Sequence, residues 1–130
     1  MSENPDITVV RDSYDALAAG DLARAGSLLA EDVVFHIPGR GALAGDHAGK
    51  DQVESYLEKL AEQVGDALRL EPDAFIAGES RVVALLRARG ERGGRVLDEL
   101  GVHVFRVTDG KISERWSFPQ DTYVIDEFFA

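Results

Sequence analysis

The chain has 130 residues, of which 45% are hydrophobic and 29% are charged, a composition typical of a globular domain and not of a disordered one. Asp and Glu number 24 against 14 Lys and Arg, so the formal net charge is −10, which disfavours binding to nucleic-acid phosphates and to anionic membranes. The absence of cysteine excludes disulfides, thiolate nucleophiles and Cys-ligated metals.

The sequence also bears on where the protein is expected to act. The first six residues are polar and acidic, unlike the start of a signal peptide. No apolar run approaches the roughly 20 residues that span a bilayer. We therefore expect a cytoplasmic protein with no membrane partner.

Three helices are predicted in the first half of the chain. Asn4-Pro5-Asp6 is a helix start signal, and the apolar residues that follow, up to Leu17, recur every three or four positions until Gly20. Asp21 is predicted to cap a second, shorter helix that carries Leu28 and Leu29 and runs into Glu31-Asp32. The third helix, over 53–64, has the clearest apolar stripe.

Strands are predicted around and after the third helix. Val33–Ile37 is a short strand ended by Pro38-Gly39, and residues 40–49 are predicted to form a loop. Four further strands are predicted near 69–77, 80–90, 95–108 and 111–118, with Asp109-Gly110 as a hairpin turn. Helices first and then an antiparallel meander indicate the α+β class, and we expect a single domain over 1–130.

Several of these segments together resemble one known family. The segments are Gly20-Asp21, 29–34, Pro38-Gly39, Leu43-Ala44-Gly45, Gly49, Asp109-Gly110-Lys111-Ile112, Glu114 and Trp116. Their order and spacing resemble the SnoaL-like (polyketide cyclase-like) family of the nuclear transport factor 2-like, ketosteroid isomerase-like superfamily. The resemblance implies a conical barrel, with three N-terminal helices packed on a strongly bent antiparallel sheet that encloses a pocket. It also implies a homodimer formed through the outer face of the sheet.

His103 is the leading candidate for a polar centre in this pocket. Strand alternation places Glu99, Gly101, His103, Phe105 and Val107 on one face of the predicted strand, where Phe105 is a candidate ligand contact beside His103. By resemblance, His103 occupies a position where related enzymes place a residue that contacts the ligand or acts as an acid. The alternative is a structural histidine that is hydrogen-bonded in the core or at a dimer face.

The acids that the family's chemistry uses are missing from two expected positions. Ser117 stands directly after Trp116, where SnoaL-like cyclases carry a carboxylate. Its hydroxyl can hydrogen-bond a ligand but cannot take up a proton near neutral pH as a carboxylate can. Ile37 stands where the ketosteroid isomerase-like pattern has its base, so Phe35 and Ile37 are predicted to be apolar lining. Asp121 is either a substitute acid that folds over the pocket mouth or a solvated turn residue.

The remaining candidates each have two interpretations. The Tyr14 phenol either reaches into the pocket or packs in the core. Trp116 either lines the pocket or covers a dimer face, and strand parity near a bulge leaves this open. His47 is a ligand contact or an exposed loop residue, whereas His36 is expected to be structural.

No histidine spacing indicates a metal site, and we expect neither a metal nor a cofactor. The apolar C-terminal segment, 123–129, is predicted to pack across the sheet or onto a partner subunit. Two functions remain open. One is a small-molecule pocket protein, with His103 assisted by Tyr14 or Asp121 if it catalyses a cyclase, isomerase or hydrolase reaction on a hydrophobic metabolite. The other is a non-catalytic ligand-binding or dimerisation module on the same fold.

Overall fold

The computed structural model describes residues 3–64 and 68–130. The predicted domain also includes residues 1–2 and 65–67, which lie outside the described residues. The described elements, in chain order, are α1 (Pro5–Ala18), α2 (Leu22–Ser27), β1 (Leu29–Ile37), β2 (Gly45–Ala48), α3 (Lys50–Val64), β3 (Leu68–Gly78), β4 (Arg81–Arg92), β5 (Arg95–Thr108), β6 (Lys111–Pro119) and α4 (Thr122–Phe129).

The six strands form one curved sheet in the order β2-β1-β6-β5-β4-β3. The pair β1 and β6 is parallel, and the other neighbouring pairs are antiparallel. Strands β2 and β3 lie at the two edges, so the described sheet is open and not a closed barrel. The predicted α+β architecture of helices packed on a bent sheet is confirmed.

The predicted helix starts are confirmed by their capping contacts. The Asn4 side chain accepts a hydrogen bond from the Asp6 backbone N–H at 2.8 Å, and Pro5 occupies the first helical turn. The Asp21 carboxylate accepts from the backbone N–H of Arg24 at 3.0 Å at the start of α2. These side chains satisfy backbone donors that have no partner within the helix.

The prediction for the end of α2 is wrong. The helix ends at Ser27, and Leu29 already begins β1. The Ile112 backbone N–H donates to the carbonyl of Leu28 at 2.8 Å, and Leu29 pairs with Ile112. Pairing with a distant strand therefore overrides the local helical pattern of this segment.

The prediction of a plain loop over 40–49 is also wrong, because β2 lies within it. Phe35 pairs with His47, and Ile37 pairs with Gly45. The strand is four residues long and lacks an apolar alternation, which is why its sequence did not indicate it. By contrast, the hairpin predicted at Asp109-Gly110 is confirmed, since both residues have positive φ, 51° and 77°.

The core lies between the helices and the inner face of the sheet. Helix α1 contributes Val10 and Tyr14 to it, α3 contributes Val53, and Phe105 and Ile112 come from the sheet. These five residues are buried. Within the described residues, no helix combines the length and the apolar character that crossing a membrane requires.

Helix α4 packs against the end of the sheet and is held through residues of its C-terminal half. Its buried Phe128 contacts a small cluster with Val64 and Leu97. The Arg92 guanidinium donates to the carbonyl of Phe128 at 3.2 Å, near the helix C-terminus. The Asp126 carboxylate accepts a hydrogen bond from the backbone N–H of Arg40. Gly39 lies so close to the same carboxylate that a β-carbon at this position would collide with it.

Candidate functional site

Strands β5 and β6 present the polar residues of the site on the inner face of the sheet. The strand register places Ser117 opposite His103 and Arg115 opposite Phe105. Since side chains alternate along a strand, Glu99 and His103 share the inner face of β5. Ser117 and Arg115 share it on β6.

The inner face, α3 and α4 surround a cavity of about 120 Å³. Most of its walls are leucine and other apolar side chains, including Ile37 from β1 and residues of α4. The charged and polar side chains in the lining, apart from the Tyr56 phenol, are Glu99, His103, Arg115 and Ser117. A mostly apolar concavity with a few convergent polar groups is the usual form of a small-molecule site.

The structure brings together the predicted residues Tyr14 and His103. The Tyr14 hydroxyl lies 2.6 Å from Nδ1 of His103, and both side chains are buried. Burial lowers the pKa of His103 well below its ordinary value, and the nearby positive charge of Arg115 lowers it further. Burial raises the pKa of Tyr14, although Arg115 acts in the opposite direction. The site therefore holds a neutral imidazole and a protonated phenol.

This pair of groups favours one tautomer of His103. The only hydrogen bond of the Tyr14 hydroxyl within the described residues is to Nδ1 of His103. If the phenol donates its proton to Nδ1, both buried atoms are satisfied, whereas the opposite arrangement leaves the phenol proton without an acceptor. Nδ1 is then an acceptor and Nε2 carries the hydrogen. Because His103 lines the cavity, this leaves Nε2–H as a donor available to a ligand.

Arg115 adds a buried positive charge beside this pair. It is 5% exposed, and its guanidinium lies 4.3 Å from the centre of the Phe35 ring. Its Nε atom is buried and has no hydrogen-bond partner within the described residues. The same is true of Ser117 Oγ and of Glu99 Oε1. The sequence alone predicts no ligand role for Arg115 or Glu99, although strand alternation places Glu99 on the same face as His103.

Phe35 and Phe105 lie behind the cavity. Phe35 supports the guanidinium of Arg115 and meets Tyr56 edge-on. Phe105 meets the Tyr14 and His103 rings edge-on. Within the described residues, neither phenylalanine lines the cavity. Both pack against side chains that do, and so hold those side chains in position.

Trp116 lies away from the cavity lining and stacks on His36, with ring centres 5.5 Å apart. His36 is held by two carboxylates, with Nδ1 2.8 Å from Asp46 and Nε2 2.6 Å from Glu114. Hydrogen bonds to Glu114 and Asp46 raise the pKa of His36. This histidine therefore favours the charged form, the opposite of His103.

The remaining candidates also lie outside the described lining. His47 Nε2 bonds the carbonyl of Leu43 at 2.8 Å, and the His47 ring packs on Tyr56. Asp121 is exposed and caps α4 by accepting from the Tyr123 backbone N–H at 2.9 Å. Within 3–64 and 68–130, no three His, Asp or Glu side chains form a group that could hold a metal ion.

The arrangement of helices over one face of a curved, open sheet is shared with solved structures of the nuclear transport factor 2-like class. A Burkholderia xenovorans protein of this class is 27% identical, covers 100% of this chain and 99% of its own, and superposes with a TM-score of 0.86. Bal32a, from a soil-derived mobile gene cassette, is 28% identical, with 97% of each chain covered and a TM-score of 0.92.

Sequence comparison narrows the class to a family. The SnoaL-like domain model matches residues 10–115. The Mycobacterium tuberculosis protein Rv0034, described as uncharacterised, is 30% identical over 131 residues, with both chains fully covered. The chain belongs to the SnoaL-like family, as its sequence motifs indicated.

The buried state of His103 predicts a specific pH dependence of stability. The pKa of His103 is lower in the folded protein than its ordinary value of about 6.5. Below this pH the unfolded chain therefore binds a proton at His103 that the folded chain does not bind. The stabilisation is complete above pH ~6.5 and is lost as the pH falls below it, by up to about 1.4 kcal/mol per pH unit. The free energy of unfolding can be measured with urea at a series of pH values. In His103→Gln, its fall below pH ~6.5 should be smaller by this amount.

His36→Gln is the matched control, since the pKa of His36 is shifted in the opposite direction. Its contribution is complete below pH ~6.5 and is lost as the pH rises through the raised pKa. In His36→Gln, the free energy of unfolding should therefore fall less steeply above pH ~6.5 than in the wild type. An acid-side slope in His103→Gln equal to that of the wild type would contradict the prediction.

Proposed function

We propose that the protein binds a small apolar molecule in this cavity and holds an oxygen atom of that molecule with His103. The observation that carries the proposal is the buried hydrogen bond between Tyr14 and His103. It leaves one imidazole nitrogen for the cavity and defines that nitrogen as a donor. A carbonyl or hydroxyl oxygen of a cyclic, oxygenated metabolite is the acceptor that such a donor suits.

The free-energy cost of buried polar atoms without hydrogen-bond partners supports a ligand-binding role for the polar residues of the cavity over a purely structural one. A buried polar atom without a partner costs roughly 1–3 kcal/mol, and the described site contains several such atoms on one face. A core selected only for stability would not keep them together. A bound ligand with complementary oxygens would satisfy them.

A second candidate function is proton transfer without a cofactor, as in a cyclase, isomerase or hydrolase. Glu99 favours it, because a carboxylate that lines the same cavity as a hydrogen-bond donor can act as a base. In this scheme Glu99 removes a proton from the carbon next to a carbonyl, and His103 donates a hydrogen bond to the oxygen that becomes negative. The carboxylates missing at Ser117 and Ile37 would then be replaced from β5.

Paired probes test the binding role of His103. Acetophenone carries a carbonyl oxygen, and ethylbenzene is similar in shape but has no acceptor. We expect acetophenone to bind roughly threefold to tenfold more tightly, since a neutral hydrogen bond contributes about 0.5–1.5 kcal/mol. His103→Leu should abolish this preference and His36→Gln should keep it, as measured by NMR titration. Equal affinities of the wild type for the two probes would overturn the proposal.

The same probe separates binding from catalysis. In deuterated water, the methyl protons of acetophenone exchange slowly, and their loss can be followed by proton NMR. An enzyme that uses Glu99 as a base should accelerate this exchange, and Glu99→Gln should remove the acceleration. If binding occurs with no acceleration, the protein is a binder and the second candidate is rejected.

We further propose that the outer face of the sheet pairs two copies of the chain. Leu85, Val102 and Phe118 are direct neighbours across β4, β5 and β6. Together with Leu100 they line one shallow depression, and Phe118 is 54% exposed. A contiguous exposed apolar patch of this kind indicates an interaction surface. A second copy offers the same patch in a self-complementary form.

Phe118→Asp tests this surface. Light scattering should give twice the chain mass of 14.1 kDa for the wild type and the single mass for the variant. A charge inside an apolar interface loses its hydration without gaining a partner, so the dimer should dissociate. Tyr123→Asp alters an exposed aromatic on α4 and should leave the dimer intact. A monomeric wild type would contradict the proposal.

A further inference from the structure

Arg115 is a buried cation without a carboxylate partner among the described residues. Its side chain lines the cavity, and among residues 3–64 and 68–130 its buried Nε atom has no hydrogen-bond partner and its guanidinium forms no ion pair. Its polar neighbours are uncharged, because His103 is neutral and Tyr14 keeps its proton. Within the described residues, the buried guanidinium packs on the face of the Phe35 ring and forms no ion pair. Such a charge is costly unless an anion accompanies it.

A shortage of acids does not explain the missing partner. The chain has 24 acidic residues against 14 basic ones. Several arginines that are at least partly exposed form ion pairs. Arg87 lies 2.7 Å from Asp98, for example, although a pair exposed to water contributes little. The partner is missing where the low dielectric would make it matter most.

Glu99, the one acidic side chain in the described lining, does not fill this role. Arg115 lies opposite Phe105, and Glu99 precedes Phe105 by six residues, or ~20 Å along an extended strand. The two side chains are not within ion-pair distance. The cavity therefore has a cationic region around Arg115 and an acidic region around Glu99.

Further hydrogen-bond donors accompany Arg115. Ser117 lies two residues along on the same face, and its buried hydroxyl has no partner among the described residues. His103, opposite Ser117, offers Nε2–H. A planar guanidinium, a hydroxyl and an imidazole N–H together match the lone pairs of a carboxylate. A neutral oxygen would accept these hydrogen bonds but leave the positive charge uncompensated.

The size of the cavity limits the rest of the ligand. This cavity of about 120 Å³ is smaller than the dry cavity of about 150 Å³ that accommodates one benzene molecule, and it is open on one side. At most one ring therefore fits inside it, and the remainder of the ligand must lie at the opening. The apolar walls exclude a second strongly hydrated group beside the first. We propose that the cavity selects a one-ring apolar acid, whose anionic oxygens bind Arg115 with support from Ser117 and His103. This inference rests on the proposed function, because it requires the cavity to be a ligand site.

Benzoate and benzamide are matched probes for this proposal, since they share shape and differ in charge. Near neutral pH, benzoate should bind the full-length protein roughly tenfold to hundredfold more tightly than benzamide in calorimetric titrations. Arg115→Met should remove this preference, because it should weaken benzoate binding far more than benzamide binding. Arg69→Met deletes the same charge from an exposed position on β3 and should keep the preference.

A stability measurement separates ligand binding from a structural role of Arg115. If the charge serves a ligand, the ligand-free Arg115→Met protein should melt at the wild-type temperature or above it. Arg115→Lys keeps the charge but loses the planar fork, so it should retain part of the preference for benzoate. This second variant tests the charge even if the methionine variant folds poorly.

The outcomes distinguish this inference from the function on which it rests. Benzamide binding as tight as benzoate, or a benzoate preference that survives in Arg115→Met, would overturn the anionic ligand. Acetophenone binding through His103 would still support the proposed function in that case. If acetophenone, benzamide and benzoate all fail to bind, the proposed function falls together with the inference.

Discussion

The hydrogen bond between Tyr14 and His103 is the constraint on which the candidate site depends. It joins α1 to β5 across the core, between residues 89 positions apart in the chain. Because both partners are buried, neither can be lost without leaving the other unsatisfied, so the bond fixes the helix against the strand and the imidazole in one tautomer. The neutral state of His103 follows from the same burial. The packing of the fold and the chemistry offered to the cavity are therefore set by one contact.

The sequence predicted those features that depend on neighbouring residues. The caps at Asn4 and Asp21, the hairpin at Asp109-Gly110 and the shared face of Glu99 and His103 all follow from local spacing. The parallel pairing of β1 with β6 does not, because it joins segments about 80 residues apart and ends α2 early. Pairing between such distant segments overrides the local helix propensity, and it cannot be predicted from the spacing of neighbouring residues.

The faces of β6 do not follow from simple alternation of its side chains. Ile112 and Arg115 are both buried, although strict alternation would place residues three apart on opposite faces. The register of β5 against β6 shifts between Arg106 and Val107, and this irregularity reconciles the two positions. The same irregularity is why the sequence alone leaves the face of Trp116 open.

The serine after Trp116 bears on the arginine before it, which has no ion-pair partner among the described residues. A carboxylate at position 117, as the family resemblance led us to expect, would share the inner face with Arg115 two residues away and could neutralise it. With Ser117 in its place, the cation stays and its compensation must come from elsewhere. A chain with a net charge of −10 repels anions at long range, so its surface does not speed their encounter. Inside the cavity the dielectric is low, so Arg115 attracts an anion strongly but only at short range. A preference for an acid would therefore come from a slow dissociation rate more than from a fast association rate.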